Sequence, residues 1–143
     1  MKRGEVWTWS DEGGRLDFLQ ITDTLSWMRV TGRISDDAAL VLEEKLPGLL
    51  THDGTEHYWD LFELDSFSNK FRHASIEITT QRRKRYERVH VLSGSVLIRM
   101  AVAAAGLPAG GMLKSYSDSS RFEEQLRDSC RTRGVDMPSL PPR

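Results

Sequence analysis

The chain has 143 residues, 38% of them hydrophobic and 29% charged, which leaves room for one compact domain and little else. Twenty basic and twenty-one acidic side chains give a formal net charge of −1, so bulk charge offers no reason to expect a dedicated nucleic-acid binder. That average conceals a polarity, because residues 11–65 hold 13 acids against 4 bases while residues 70–88 hold 7 bases against 2 acids. The single cysteine, Cys130, cannot form an internal disulfide and suits a reducing cytoplasm. The opening residues, MKRGEVWTWSDEGG, hold no apolar stretch of signal-peptide length. The longest uncharged apolar run, residues 100–113, is interrupted by Gly106, Pro108, Gly110 and Gly111 and falls short of the roughly 20 residues a membrane helix needs. A cytoplasmic protein with no transmembrane segment is expected.

In chain order, residues 6–9 and 16–21 are β-favouring runs that flank the turn signal Asp11-Glu12-Gly13-Gly14, the pattern of a hairpin. Residues 26–31 alternate again, with Met28 and Val30 on one face, which adds a third strand and makes a meander. The period then changes. Ser35, Asp36 and Asp37 supply a cap and first-turn acids, and Ala39, Leu42, Leu46 and Leu49 or Leu50 recur at helical spacing until Pro47 kinks or ends the helix. Residues 57–62, HYWDLF, are short, aromatic and nearly continuous, as in a strand buried on both faces.

A second helix is predicted from about residues 66–69 to Tyr86, with Phe67, Phe71, Ala74 and Ile78 on one stripe and Arg82 to Arg85 in its last turn. Residues 89–92 form the next strand. Residues 96–105 form a nearly all-apolar helix, whose composition calls for deep burial or an apolar contact surface. Residues 112–116 are the last strand, and Asp118 or Ser120 caps a final helix carrying Phe122, Leu126 and Cys130. Residues 1–133 are thus read as a single domain and residues 134–143 as a flexible tail. The fold class is α/β: a mixed sheet with an N-terminal antiparallel meander and later parallel strands, covered by about four helices.

This order, and several phrases along it, resemble the STAS domain in its SpoIIAA-like branch, a branch akin to CRAL-TRIO lipid carriers. The phrase from Val30 through Gly32 to Ala38 is similar to that family's strand, glycine and capped first helix. Residues 58–66 are similar to its central strand and aspartate-containing loop, and residues 88–95, then Ser117-Asp118 leading to Phe122-Glu123-Glu124-Gln125-Leu126, are similar to its second half. The resemblance covers about residues 15–130. It implies a non-catalytic regulatory or protein-interaction module, and fold alone does not assign function.

Anti-sigma-factor antagonists of this family carry a regulatory serine at the start of the second helix. The corresponding stretch here is Asp65-Ser66-Phe67-Ser68-Asn69, which departs from the family's pattern and lacks its following glycine. Ser66 is the closest counterpart for phosphorylation and Ser68 the second, since a helix N-terminus favours a phosphate. The plainer reading is that both hydroxyls cap the helix. The partner-binding surface is accordingly placed on Asp60, Asp65, Ser66, Ser68 and Asn69, at the carboxyl ends of parallel strands where sites in open sheets gather. Asp60 and Asp65 also read as loop-shaping groups without any base or nucleophile beside them.

Arg82, Arg83, Lys84, Arg85 and Arg88 form a cationic run that suits an anionic partner or, more simply, a solvated helix end. Met100, Val102, Ala103 and Leu107 could line an apolar cleft for a lipid, although small alanines also pack closely against a sheet. Trp7 and Trp9 on an edge hairpin could support a homodimer. The four histidines lack metal-ligand spacing, His90 reads as a hydrogen-bonded core histidine, and Ser95 reads as an ordinary helix cap. No hydrolase or kinase signature is present. No cofactor, metal or specific nucleic-acid partner is therefore expected.

Overall fold

The computed structural model describes residues 2–49, 51–81, 85–106 and 112–143. The meander forms as expected from β1 (Val6–Ser10), β2 (Gly14–Thr22) and β3 (Leu25–Ile34), joined antiparallel. Helix α1 (Asp36–Lys45) follows and tightens into a single 3-10 turn, Leu46–Leu49, at Pro47. A proline ring removes a helix hydrogen bond and crowds the preceding turn. Strand β4 (Thr55–Leu61) then lies parallel to β3.

A short strand not anticipated from the sequence, β5 (Leu64–Phe67), pairs with the far end of β3. Gly32 makes this change of partner feasible. Its φ is +82°, and a Cβ there would lie 2.4 Å from the Gly13 carbonyl oxygen, so only glycine fits the bulge at which β3 leaves β4 and meets β5. Helix α2 (Asn69–Gln81), β6 (Tyr86–Ser93), α3 (Val96–Gly106), β7 (Leu113–Tyr116) and α4 (Ser119–Thr132) complete the order. Tyr86, expected in the last turn of α2, instead opens β6.

Along the sheet the strands run β1-β2-β3-β4-β6-β7, with β4, β6 and β7 parallel to β3. The helices are divided between the two faces. One face carries α1, α2 and α3 over Phe18, Met28, Val30, Val89 and Val91. On the other, α4 packs Phe122, Leu126 and Cys130 onto Leu19, Trp27, Tyr58 and Leu92. Period-two alternation assigns Met28 and Trp27, or Val91 and Leu92, to opposite sides.

Of the two cap candidates for α4, Asp118 is the one used: it accepts from the Ser120 N–H at 2.8 Å, and Ser120 lies inside the helix. The expected tail, residues 134–143, has no helix or strand, and part of it packs against the sheet. A Schellman motif turns it back: Gly134 has φ +69°, its N–H reaches the Arg131 carbonyl, and the Val135 N–H reaches the Cys130 carbonyl at 3.0 Å. Met137 and Leu140 then pack half-buried against the α4-side cluster. Their apolar side chains, with the arginine contacts described below, anchor a segment that composition alone marks as loose.

Candidate functional site

The carboxyl end of β4 gathers most of the residues singled out from the sequence, but they have different roles. Alternation puts Asp60 on the same side as Tyr58, the α4 side, and the residue is only 2% exposed. Its carboxylate accepts from Arg29 Nε at 3.1 Å and, as an Asx turn, from the Phe62 N–H at 3.1 Å. The Arg143 guanidinium grips both oxygens, at 3.1 and 2.7 Å. Asp60, expected on a partner-facing surface, is therefore a buried group with all its acceptor directions occupied from within the chain. The loop-shaping alternative describes it better.

Asp65 and Ser66 are exposed on β5, and Asn69 is exposed at the first position of α2. The two serines separate by function. Ser68 caps α2, its Oγ accepting from the Phe71 N–H at 3.1 Å, whereas Ser66 lies in the strand before the helix, opposite Arg33. Asp65, Ser66 and Asn69 thus form the exposed part of the predicted surface, with Ser68 fixing where the helix begins.

Of the cationic run, Arg82, Arg83 and Lys84 lie outside the described residues. Arg85 donates to the Thr51 carbonyl at 3.2 Å and sits 3.6 Å from the Asp53 carboxylate, and Arg88 is exposed on β6. Trp7 and Trp9 are half-buried against the larger core cluster, with Lys45 over the Trp7 ring at 4.4 Å.

A cavity of about 100 Å³ lies between the sheet and helices α1, α2 and α3, lined by Met28, Trp59, Phe71, Val89 and Ile98 among others. Of the four residues proposed for an apolar cleft, Val102 lines it. Met100, 64% exposed, and Ala103 lie on the surface, and Leu107 is outside the described residues. Helix α3 is correspondingly an apolar surface helix: among its described side chains only Ile98 is buried, and Leu97 is 79% exposed.

The α4 side of the sheet holds a polar network that sequence reasoning found only at His90. His90 Nδ1 meets the Tyr116 hydroxyl at 2.8 Å and Nε2 meets Glu56 at 2.6 Å, while Arg133 donates to the other Glu56 oxygen at 2.9 Å. Tyr58 stacks on His90 with centroids 4.1 Å apart and bonds Ser129 at 2.5 Å and the Gln125 carbonyl at 3.0 Å. Burial raises the Glu56 pKa, but the His90 hydrogen bond, helped by His90, Ser129 and Arg133, outweighs it and brings the carboxyl to about 2. Burial holds His90 below its ordinary value against the pull of Glu56. Through burial again, the phenols of Tyr58 and Tyr116 are pushed up, the latter to about 12.

On the opposite side, Ser26 Oγ is hydrogen-bonded to His57 Nδ1, and burial takes His57 down to about 3. A neutral imidazole beside a hydroxyl has the elements of a nucleophile and its base. Both are buried, however, and neither lines the cavity. The pairs Arg29 with Asp60 and Glu56 with His90 had a signal in the sequence: in each, the two residues fall on the same alternating face of neighbouring strands.

No family model matches the chain, and neither does any curated protein. Among solved structures, a protein of the DUF3478 family from Shewanella loihica PV-4, described as having a SpoIIAA-like fold, superposes with a TM-score of 0.59 at 14% identity, over 85% of this chain and 92% of that one. The chain has a SpoIIAA-like fold. The anti-sigma factor antagonist SpoIIAA itself, in its unphosphorylated form, superposes with a TM-score of 0.56 at 13% identity, over 85% of this chain and 99% of its own. The SpoIIAA-like architecture implied by the resemblance is therefore the architecture present, mixed sheet and helices included. Among the described residues no helix is long and apolar enough to cross a membrane, and no group of three or more His, Cys, Asp and Glu side chains is placed to hold a metal ion.

Proposed function

We propose that this chain is a cytoplasmic, non-catalytic regulatory module that binds a protein partner through β5 and the start of α2. Asp65, Ser66 and Asn69 supply the contacts, and Ser68 holds the helix terminus in place. The observation that carries the reading is the exposure of these three polar residues in the short stretch from β5 to the first residue of α2, just beyond the carboxyl end of β4, on a fold shared with an anti-sigma factor antagonist. Sites in open α/β sheets gather at that end. Ser66 is the residue available to a kinase, because it is exposed, whereas phosphorylating Ser68 would remove the α2 cap.

The test uses Asp65→Lys and Asn69→Arg in the full chain, with a partner captured from the native host and then purified. Both positions are exposed, so the fold is retained, and each variant is expected to weaken the purified complex at least tenfold. Unchanged affinity in both variants would overturn the reading.

A second reading rests on the cavity. Its apolar lining and the exposed apolar residues of α3 favour an apolar ligand over a polar one, and at about 100 Å³ the cavity must widen to admit a lipid chain. Native mass spectrometry of freshly purified protein would then show a bound apolar molecule, and a spectrum of the apo protein alone would remove this reading.

A further inference from the structure

We propose that the sheet face beside α4 is a peptide-recognition groove for an extended apolar–proline–proline–arginine segment of a partner protein, and that residues 137–143 of this chain occupy it in cis. This groove lies on the face of the sheet opposite the apolar cavity and is separate from the β5 surface.

The tail shows what the groove recognises. Met137 and Leu140 pack, half-buried, against the cluster that contains Leu19, Leu25, Trp27 and Tyr58. Arg29, held over the Trp27 ring at 4.9 Å, donates to the Pro141 carbonyl at 2.5 Å. Arg143 ends the contact with a two-pronged grip on Asp60, its guanidinium 5.1 Å from the centre of the Phe62 ring. Such forked pairing with a carboxylate selects arginine over lysine by geometry. A backbone carbonyl, two apolar side chains and one arginine are therefore read together, and the two prolines favour the extended conformation that presents them.

The tail is also built to leave. Without the tail, Asp60 keeps Arg29 and the Phe62 N–H, so its charge stays paired, and the Arg29 Nη1 that held the Pro141 carbonyl becomes open to the carbonyl of an incoming segment. Arg143 itself adds a third charge to a pair already balanced. The Arg143 side chain is 26% exposed, and the segment makes no strand or helix. A cis segment acts at an effective concentration on the order of millimolar, which holds weak outside ligands off while the tail is docked.

The probe is a fluorescently labelled nonapeptide with the sequence of residues 135–143, VDMPSLPPR, titrated by anisotropy with the full-length wild-type chain and the full-length Arg143→Ala variant. The variant is expected to bind the peptide about fivefold more tightly than the wild type, because its own tail competes less. It is also expected to bind VDMPSLPPR about fivefold more tightly than VDMPSLPPA, a comparison that leaves the protein unchanged. Equal affinity for the two peptides, or absence of binding to the variant, would overturn the proposal. A wild-type chain that runs as a dimer with exchanged tails would overturn the cis arrangement.

Discussion

Removing the Asp60 carboxylate should be far more damaging than removing the arginine that grips it from the tail. In Asp60→Ala the Arg29 guanidinium, 6% exposed, keeps only the Pro141 carbonyl as a hydrogen-bond partner among the contacts described above. Breaking a buried pair from one side costs about 3–5 kcal/mol, a large share of the roughly 5–15 kcal/mol that holds a domain together. In Arg143→Ala, Asp60 retains two donors, and the loss should be about 1 kcal/mol, the scale of one partly exposed charge-assisted contact. Replacing both members of the buried pair, Asp60→Leu with Arg29→Met, should recover most of the Asp60→Ala loss, since well-packed apolar side chains substitute for a buried ion pair. Urea unfolding followed by tryptophan fluorescence reads all three. With a slope of about 2 kcal/mol per molar, Asp60→Ala should shift the midpoint by roughly 2 M and Arg143→Ala by about a quarter of that. Equal shifts for the two single variants, or an Asp60→Ala shift below about 0.5 M, would refute this reasoning.

Acid should destabilise the protein in two steps. His57, at about 3 when folded against 6.5 unfolded, refuses a proton that the unfolded chain accepts, and buried His90 is lowered in the same direction, so stability present above pH 6.5 falls as pH drops below it. Glu56, at about 2 against 4.5, adds about 3 kcal/mol that is complete above pH 4.5 and lost between pH 4.5 and 2; urea midpoints across pH should show His57→Asn flattening the upper step. Gly94→Ala would place a Cβ 2.1 Å from the Phe62 carbonyl oxygen, and the forced separation of the two turns should cost about 1–3 kcal/mol in thermal or urea unfolding. Ser68→Ala should cost about 0.5–2 kcal/mol through the lost α2 cap, whereas Ser66→Ala should stay within about 0.5 kcal/mol, and equal effects would mean that the cap is misassigned.

The elements with a strong period were legible from the sequence. Ala39, Leu42, Leu46 and Leu49 mark α1 and its tightening at Pro47, and Phe122, Leu126 and Cys130 mark the buried stripe of α4. Strand β5 was not legible, because LDSF is four residues long with two exposed polar positions and forms only by pairing beyond the bulge at Gly32. The end of α2 was overextended for a related reason: a charged run continues the helical composition, and only the partner strand β4 recruits Tyr86 to the sheet. At the candidate site, the sequence located Asp60 at the right end of the right strand. Its orientation was recoverable too, since Tyr58 with Asp60 and Trp27 with Arg29 share alternating faces. Arg143 was not recoverable, because proline-rich segments carry no periodicity, and what fixes this one is a carboxylate more than eighty residues earlier in the chain.

The partner-binding claim is tested most directly by amide NMR of the isotope-labelled full chain titrated with its purified partner. The account predicts that the largest shift changes fall on residues 64–70, with Asp65, Ser66 and Asn69 among them. Changes confined to other surfaces, with those residues unmoved at saturation, would contradict it.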